Sequence, residues 1–180
     1  MAVTGTADPA ALLRIDAGQP GLALSLTKPI GAGVLNAWRK AAGRVSAAVI
    51  EVMTALNADA SRRARAAGIR CATDVTGFGL LGHLFNLARA SGVSAVVDHA
   101  AVPLIEDTRA AARAGHLPGG SRRNLDWVLP HADVARWARR TLLLLADAQT
   151  SGGLLVAGEL PGAQVIGELI PRRDSVLIIR

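Results

Sequence analysis

The chain has 180 residues, which is enough for one domain with a substantial core, and 51% of them are hydrophobic. Charged residues interrupt every apolar stretch before the roughly 20 residues that a transmembrane helix needs, so no membrane span is expected. Residues 1–20 contain no basic region followed by an apolar stretch, which argues against a secretory signal. One cysteine cannot form an internal disulfide, and this agrees with a cytoplasmic location.

The formal net charge of +6 raises the question of nucleic-acid binding. The positive residues are almost all arginines, and they are scattered along the chain rather than gathered into one stripe. The sequence has no tyrosine and few other aromatic residues, so a platform for stacking bases is poorly supplied. We therefore expect no nucleic-acid partner.

Local patterns predict the elements of the first third of the chain. Residues 1–20 are rich in Ala, Gly, Asp and Pro, which predicts a linker or loosely ordered lead-in to a single domain spanning residues 21–180. Hydrophobic periodicity and glycine positions then predict a strand over Leu22–Thr27, a turn over Gly31–Gly33, a helix over Val34–Ala41 and one amphipathic helix from Ser46 to Ala67. The turn and Lys28 could contact a phosphate, but a plain turn and an ordinary surface lysine are the alternatives.

The remaining elements alternate in type, which is typical of an α/β protein. The patterns predict a strand over Ile69–Thr73, a buried helix ending near Ala90, a strand over Val93–Asp98, a helix over Leu104–Ala114, a loop at Pro118–Ser121, a helix over Val134–Arg140 and strands over Leu154–Ala157 and Ser175–Ile179. Four dispersed histidines have no zinc-site spacing, and Cys71 is interpreted as a small buried residue.

The run from Asp74 to His83 joins a strand to a helix through a glycine-containing turn. Glycine lets the backbone approach a charged ligand, and the helix start offers unpaired N–H groups. A carboxylate at the strand end could hold a divalent cation on a phosphate, so Asp74 is the candidate metal ligand. Thr76 and Gly77 are candidate nucleotide contacts, although Thr76 could instead cap the helix.

A second polar loop runs from Asp147 to Gly153 between two apolar stretches. Its several donors would suit an anion or an adenosine, which makes Gln149, Thr150 and Ser151 candidate nucleotide contacts. An Asx-type turn that joins the flanking elements is the structural alternative for the same residues.

Five segments together resemble the selenophosphate synthetases (selenide, water dikinases). They occur in the order of that family and extend from about residue 20 to the C-terminus, and they are Leu26–Gly31, Leu56–Asn57, Asp74–His83, Pro118–Ser121 with Asn124, and Asp147–Leu155. The resemblance covers only the C-terminal half of the family.

The resemblance implies a fold and a chemistry. The implied fold is a mixed β-sheet with helices packed on one face, as in the C-terminal domain of the aminoimidazole ribonucleotide synthetase-like superfamily. The implied reaction converts ATP, selenide and water to selenophosphate, AMP and phosphate with Mg²⁺. Asp74 would share the metal with aspartates of the family's N-terminal domain.

The family's catalytic cysteine or selenocysteine and lysine belong to that N-terminal domain, and nothing before Leu26 matches it. The resemblance therefore implies no catalytic residue in this chain, which is expected to be inactive alone. The missing N-terminal domain is the expected partner, and it would carry most of any homodimer contact. An expressed fragment, a split gene product and a degenerate paralogue all remain open. The alternative function is a freestanding binding module that pairs with, or regulates, a separate N-terminal half.

Overall fold

The computed structural model describes residues 2, 4–43, 46–134 and 137–180. Its strands are β1 (Ala23–Leu26), β2 (Cys71–Asp74), β3 (Ser94–Val97), β4 (Ala132–Asp133), β5 (Leu154–Ala157), β6 (Gln164–Ile170) and β7 (Leu177–Ile179). Its α-helices are α1 (Ala32–Ala42), α2 (Ala47–Thr54), α3 (Ala58–Ala66), α4 (Gly79–Ala90), α5 (Thr108–Arg113), α6 (Gly119–Val128) and α7 (Arg139–Leu145). Short 3₁₀ turns lie at Pro9–Ala11 and Leu129–His131.

All seven strands form one sheet in the order β2-β5-β1-β6-β3-β7-β4. Strand β1 pairs antiparallel with both β5 and β6, whereas β7 pairs parallel with both β3 and β4. The four residues of β3 are all buried, as expected for a strand covered on both faces. The predicted mixed sheet is therefore confirmed.

The main core lies between one face of the sheet and helices α4, α6 and α7. Helix α4 carries Leu80, Leu81, Leu84 and Leu87 with no exposed surface, because apolar residues surround most of its circumference. Burial of each such side chain contributes about 1.5–3 kcal/mol. This helix follows Asp74 directly, so the core fixes the position of the turn between them.

Smaller clusters complete the packing. Helices α1, α2 and α5 share one of them, with Val34 and Ala111 fully buried. Helix α3 packs Ala64 against Ala72 and Val156, which are partners in the β2–β5 register. Side chains alternate along a strand, so α3 covers the face opposite the main core at this sheet edge.

The predicted helix from Ser46 to Ala67 is interrupted. Helix α2 ends at Thr54 and α3 begins at Ala58, because Ala55 has an extended backbone with φ −63° and ψ 127°. The apolar repeat continues across the break, so periodicity alone predicts one helix. The break places Asn57 beside the loop that precedes β5, and its side chain donates a hydrogen bond to the Gly152 carbonyl at 2.8 Å.

Three other predictions differ from the structure. The predicted loop at Pro118–Ser121 is wrong, because Pro118 is the N-cap of α6 and two glycines begin the helix. The predicted helix over Val134–Arg140 is also wrong, since Ala132–Asp133 forms β4 and the helix begins at Arg139. Residues 135 and 136 of that prediction lie outside the described residues. Strand β6 was not predicted, since its buried and exposed positions do not alternate.

The N-terminal segment, predicted as a lead-in, contacts the outer edge of β2. Arg14 forms a parallel bridge with Cys71, and its N–H donates to the Arg70 carbonyl at 2.8 Å. Cys71 is buried, as expected. Across the described part of the chain, no helix has both the length and the apolar character that a bilayer crossing requires.

Candidate functional site

The two loops predicted to carry the site lie side by side at one end of the sheet. The Val75 N–H donates to the Gly153 carbonyl at 2.9 Å, and the Gln149 N–H donates to the Thr76 carbonyl at 2.9 Å. Strand β2 brings Asp74 opposite Leu154 at the start of β5. The structure therefore unites the turn after β2 with the loop before β5.

The N-terminus of α1 is filled by side chains of the second loop. Asp147 Oδ2 accepts hydrogen bonds from the N–H groups of Gly33 at 2.9 Å and Val34 at 3.2 Å. Gln149 Oε1 accepts from Gly31 at 3.0 Å and Ala32 at 3.1 Å. These are the N–H groups that a helix start leaves unpaired. The Gly31–Gly33 turn therefore has a structural role, since Asp147 and Gln149 already accept the N–H groups that a phosphate would need.

Asp147 is buried and surrounded by donors. Ser121 Oγ donates to its Oδ1 at 2.8 Å, and Gln149 Nε2 donates to its Oδ2 at 3.0 Å. Burial raises the pKa of Asp147, while the hydrogen bonds from Ser121, Val34, Gln149 and Gly33 oppose this shift. Because both ends of the Gln149 amide are occupied, Gln149 holds the loop on α1. The contact of Gln149 with a nucleotide stays a prediction. In this structure both polar atoms of its side chain already have hydrogen-bond partners.

Lys28 is neither an ordinary surface lysine nor free for an anion. Its Nζ donates to the carbonyls of Val52 at 3.2 Å, Ala55 at 2.6 Å and Ser151 at 2.9 Å. A cation at the end of α2 is favourable, because the last carbonyls of a helix carry partial negative charge. Burial lowers the pKa of Lys28. The lysine thus connects the α2–α3 break to the loop that carries Ser151.

Helix α6 forms hydrogen bonds to both loops. Asn124 Nδ2 donates to the carbonyl of Gly77 at 2.8 Å and to that of Ala146 at 3.1 Å. Asn124 and Ser121 belong to a segment that resembles the family, but the sequence predicts no contact for either of them. Two polar residues at positions 121 and 124 are spaced by about one helical turn, and this spacing could have indicated a helix with a polar side facing the two loops.

Gly79 explains why this turn needs glycine. Its φ is +69°, and a Cβ there would lie 2.5 Å from the carbonyl carbon and oxygen of Ala146. A Cβ at Gly77 would meet no atom within 4 Å. Gly79 is therefore required for the close contact with the Ala146 backbone, whereas a side chain at position 77 would have free space around it.

Thr76 contacts His83 rather than capping α4. The Thr76 N–H donates to His83 Nε2 at 3.0 Å, and its Oγ1 lies 3.1 Å from the same nitrogen. The N-cap of α4 is Phe78. Burial lowers the pKa of His83, and the nearby charge of Asp74 opposes this. A neutral His83 that accepts through Nε2 carries its proton on Nδ1.

The outer surface of the site carries the remaining candidates. Asp74, Gly77, Thr150 and Ser151 are exposed. Within the described residues, no hydrogen bond or ion pair engages the Asp74 carboxylate. Nor do those residues contain a group of three or more His, Cys, Asp or Glu side chains that could hold a metal. Asp74 can therefore supply one oxygen ligand to a cation, and the described residues gather no such group of ligands around it.

Almost the whole length of the chain matches one known family. Residues 19–180 match the family described as AIR synthase related protein, C-terminal domain. The chain belongs to this family. A structure of the hydrogenase maturation protein HypE in complex with ATP has the same fold, with a TM-score of 0.60 at 17% identity over 87% of this chain and 44% of that one. The predicted architecture, a mixed sheet with helices packed on one face, is confirmed, with the difference that α3 covers part of the other face.

Sequence relatives of this family member are selenide, water dikinases. The enzyme of Bordetella bronchiseptica is 41% identical over 184 residues, covering 98% of this chain and 53% of the relative. That of Pseudomonas aeruginosa is 41% identical over 181 residues, covering 94% and 51%. The resemblance inferred from the motifs is confirmed. The chain spans about half the length of the curated relatives it matches.

Proposed function

We propose that this chain forms the C-terminal half of an ATP-dependent selenide, water dikinase. The reaction would convert ATP, selenide and water to selenophosphate, AMP and phosphate, and so supply activated selenium for selenocysteine. The observation that carries the proposal is Asp74, an exposed carboxylate without a hydrogen bond or ion pair to the described residues. It lies beside two of the segments that resemble the family, the turn after β2 and the loop before β5. The names of the relatives and the ATP complex of HypE support the same reaction class.

The residues of this chain fit a shared Mg²⁺ site. Magnesium binds in proteins through one or two carboxylates together with substrate phosphates, and Asp74 can provide one such carboxylate. When bound, Mg²⁺ would neutralise charge on the transferred phosphoryl group. Asp74 would orient the cation, and the exposed hydroxyls of Thr150 and Ser151 would border the phosphates. Lys28 would keep Ser151 in place through its backbone carbonyl.

The remaining ligands and the selenium-handling groups would come from the rest of the relatives' length. This chain alone would therefore be inactive. A homodimer, if one forms, would involve that other part as well.

Replacement of Asp74 by asparagine tests the proposal. The protein for the test is a chimera in which this chain replaces the matching half of the Bordetella bronchiseptica enzyme, to which it is 41% identical. Selenide-dependent AMP release should fall at least about 100-fold in Asp74→Asn, because an amide is a poor substitute for a charged metal ligand. The isolated variant chain should melt at the temperature of the wild type.

Glu159→Gln is the matched control. Glu159 is exposed and follows β5, at the end of that strand opposite Leu154 and Asp74. It should leave AMP release unchanged. Full activity of the Asp74→Asn chimera would refute the metal role, and a chimera that never releases AMP would favour the binding-module alternative.

A further inference from the structure

A cavity of about 560 Å³ lies beside the N-terminal segment. Its lining comes from the 8–12 segment, from the second half of α3 and from the residues that lead into β2. Arg70 lines the cavity and precedes β2, whereas Asp74 is the last residue of the same strand. The cavity is therefore at the other end of β2 from the candidate site.

Three arginines line this cavity, and we call Arg62, Arg65 and Arg70 the arginine cluster. Arg62 and Arg65 are three residues apart on α3, so their side chains leave the helix on the same side. Arg70 reaches the cavity from a different segment of the chain. Of the described residues in the lining, Asp8 alone carries a carboxylate, so positive charge predominates.

Asp8 does not neutralise the arginine cluster. Its Oδ1 accepts the Ala10 N–H at 2.9 Å, and its carboxylate forms no ion pair with a described residue. Arg70 Nη1 donates to the Ala10 carbonyl at 2.7 Å, which holds this guanidinium at the cavity. A guanidinium has five N–H donors, so most of those on Arg70 remain available. In the described part of the chain, no hydrogen bond or ion pair engages Arg65.

A solvated helix face is the simpler explanation for arginines on α3, and it fits Arg63. Arg63 donates to Asp59 at 2.8 Å and to the Pro161 carbonyl, so its guanidinium is occupied. Arg62 only approaches the same Asp59 carboxylate, at 3.5 Å. A cation near a helix C-terminus is also favourable, which accounts for a single arginine. Neither explanation accounts for three arginines from two segments around one cavity, since like charges at close range repel.

We propose that the arginine cluster binds a small phosphate-bearing anion. Planar guanidinium groups pair with phosphate oxygens through two parallel N–H donors, which suits arginine to phosphate sites. The volume of the cavity lies within the range of about 300–1,000 Å³ that is typical of small-molecule sites. The described lining contains no aromatic side chain, so it would recognise the phosphate and not a stacked base. This inference goes beyond the proposed function and does not depend on it.

Titration of the chain with inorganic pyrophosphate tests the proposal. Calorimetry without Mg²⁺ should show saturable binding with a dissociation constant below about 1 mM, because several charge-assisted hydrogen bonds would form. Sodium chloride keeps the ionic strength constant, so general screening of the positive chain does not change during the titration. Inorganic phosphate should compete with pyrophosphate for the same site.

A double variant removes two members of the arginine cluster. Arg62→Gln with Arg65→Gln should weaken pyrophosphate binding at least about tenfold, because glutamine cannot form charged bidentate contacts. Both arginines are exposed, so the melting temperature without ligand should stay close to that of the wild type. Arg109→Gln with Arg113→Gln is the matched control. These arginines are exposed on α5 and do not line the cavity, so the same change of charge should leave binding unaltered.

Nuclear magnetic resonance of the wild-type chain gives a result that needs no variant. Pyrophosphate should shift the amide signals of residues 8–12 and 65–70, whereas the signals of α5 should stay in place. Shifts elsewhere in the chain without any at 8–12 or 65–70 would refute the proposal, whether or not the double variants fold.

Three calorimetric results would also overturn the proposal. The first is the absence of saturable binding up to about 10 mM pyrophosphate. The second is equal weakening in the two double variants, which would mean that only net charge matters. The third is binding of a 20-nucleotide single-stranded RNA by a chain that does not bind pyrophosphate, which would assign the arginine cluster to a nucleic-acid backbone instead.

Discussion

At the scale of single residues, the candidate site separates into groups that build it and groups that face outward. Asp147 and Gln149 lie inside, where their side chains accept all four N–H groups at the start of α1. Asp74 lies outside, with no such partner among the described residues. Asp147 and Asp74 each begin a loop that contains glycines, but Asp147 is buried and holds the backbone whereas Asp74 is exposed.

The buried carboxyl of Asp147 should make stability depend on pH. Its folded pKa is raised above the ordinary 3.8, so the folded chain binds more protons than the unfolded chain between those two pKa values. The free energy of unfolding should therefore decrease as pH rises through that window and stay level above it. Asp147→Asn should lack this component, which urea unfolding at a series of pH values would measure.

The comparison with a second variant isolates the effect. Glu159→Gln removes an exposed carboxyl and should follow the wild-type pH profile. If the wild type gained stability relative to Asp147→Asn as pH rose, the hydrogen bonds to Asp147 would outweigh its burial, and the direction given above would be wrong.

At the scale of elements, the sequence predicted what local patterns can encode. The strand, glycine turn and buried helix around Asp74 were predicted correctly, because periodicity and glycine positions lie within one short run. Helix α6 was missed, because its two initial glycines suggest a loop. The break between α2 and α3 was missed for a different reason, since it depends on Lys28 and on Gly152, which are remote in sequence.

The candidate site was predictable to a similar extent. Asp74 and the two loops could be selected from the sequence, and the structure brings them together. The structural role of Gln149 could not be predicted from the sequence, because its hydrogen-bond partners lie 117 and 118 residues away. A buried polar side chain and a ligand-binding one look alike in sequence, and only tertiary contacts distinguish them.

Lys28 should stabilise the α2–α3 break measurably. In Lys28→Met, the carbonyls of Val52, Ala55 and Ser151 would lose their donor. The free energy of unfolding should fall by about 2 kcal/mol, because hydrogen bonds from a charged donor are individually stronger than neutral ones. Amide hydrogen exchange in the 149–153 loop should also become faster.

Lys40→Met is the matched control for that change. Lys40 is exposed in the last turn of α1, so its replacement should alter the unfolding free energy by less than about 0.5 kcal/mol. Equal effects of the two variants would mean that the Lys28 contacts contribute nothing specific.

At the scale of the whole molecule, the proposed function divides the site: the fold positions the Asp74 turn, and a second body would supply the remaining ligands. The sheet, helix α4 and the hydrogen bond from Asn124 of α6 fix the Asp74 turn. Stability and ligand binding are therefore separable here. Under the proposed function, the domain would be rigid on its own and still need further ligands for a nucleotide and its cation.

Titration with Mg-ATP should reveal this division. Calorimetry of the isolated chain should give no saturable binding up to about millimolar concentrations, since one exposed carboxylate holds Mg²⁺ weakly without further ligands. The chimera should bind Mg-ATP, and Asp74→Asn in the chimera should weaken that binding. Saturable binding by the isolated chain, lost in Asp74→Asn, would instead mean that this chain contains the whole site.

The bridge between Arg14 and Cys71 fixes the position of the N-terminal segment at the edge of the sheet. Cys71 begins the strand that ends at Asp74, and three residues of extended strand span about 10 Å. A polypeptide joined ahead of Arg14 would thus be tethered close to Asp74, at an effective concentration on the order of millimolar. Two separate chains would have to reach a comparable concentration, or bind each other tightly, to assemble equally well. Under the proposed function, the contact of Arg14 with the sheet edge would therefore determine how much affinity two separate halves must supply.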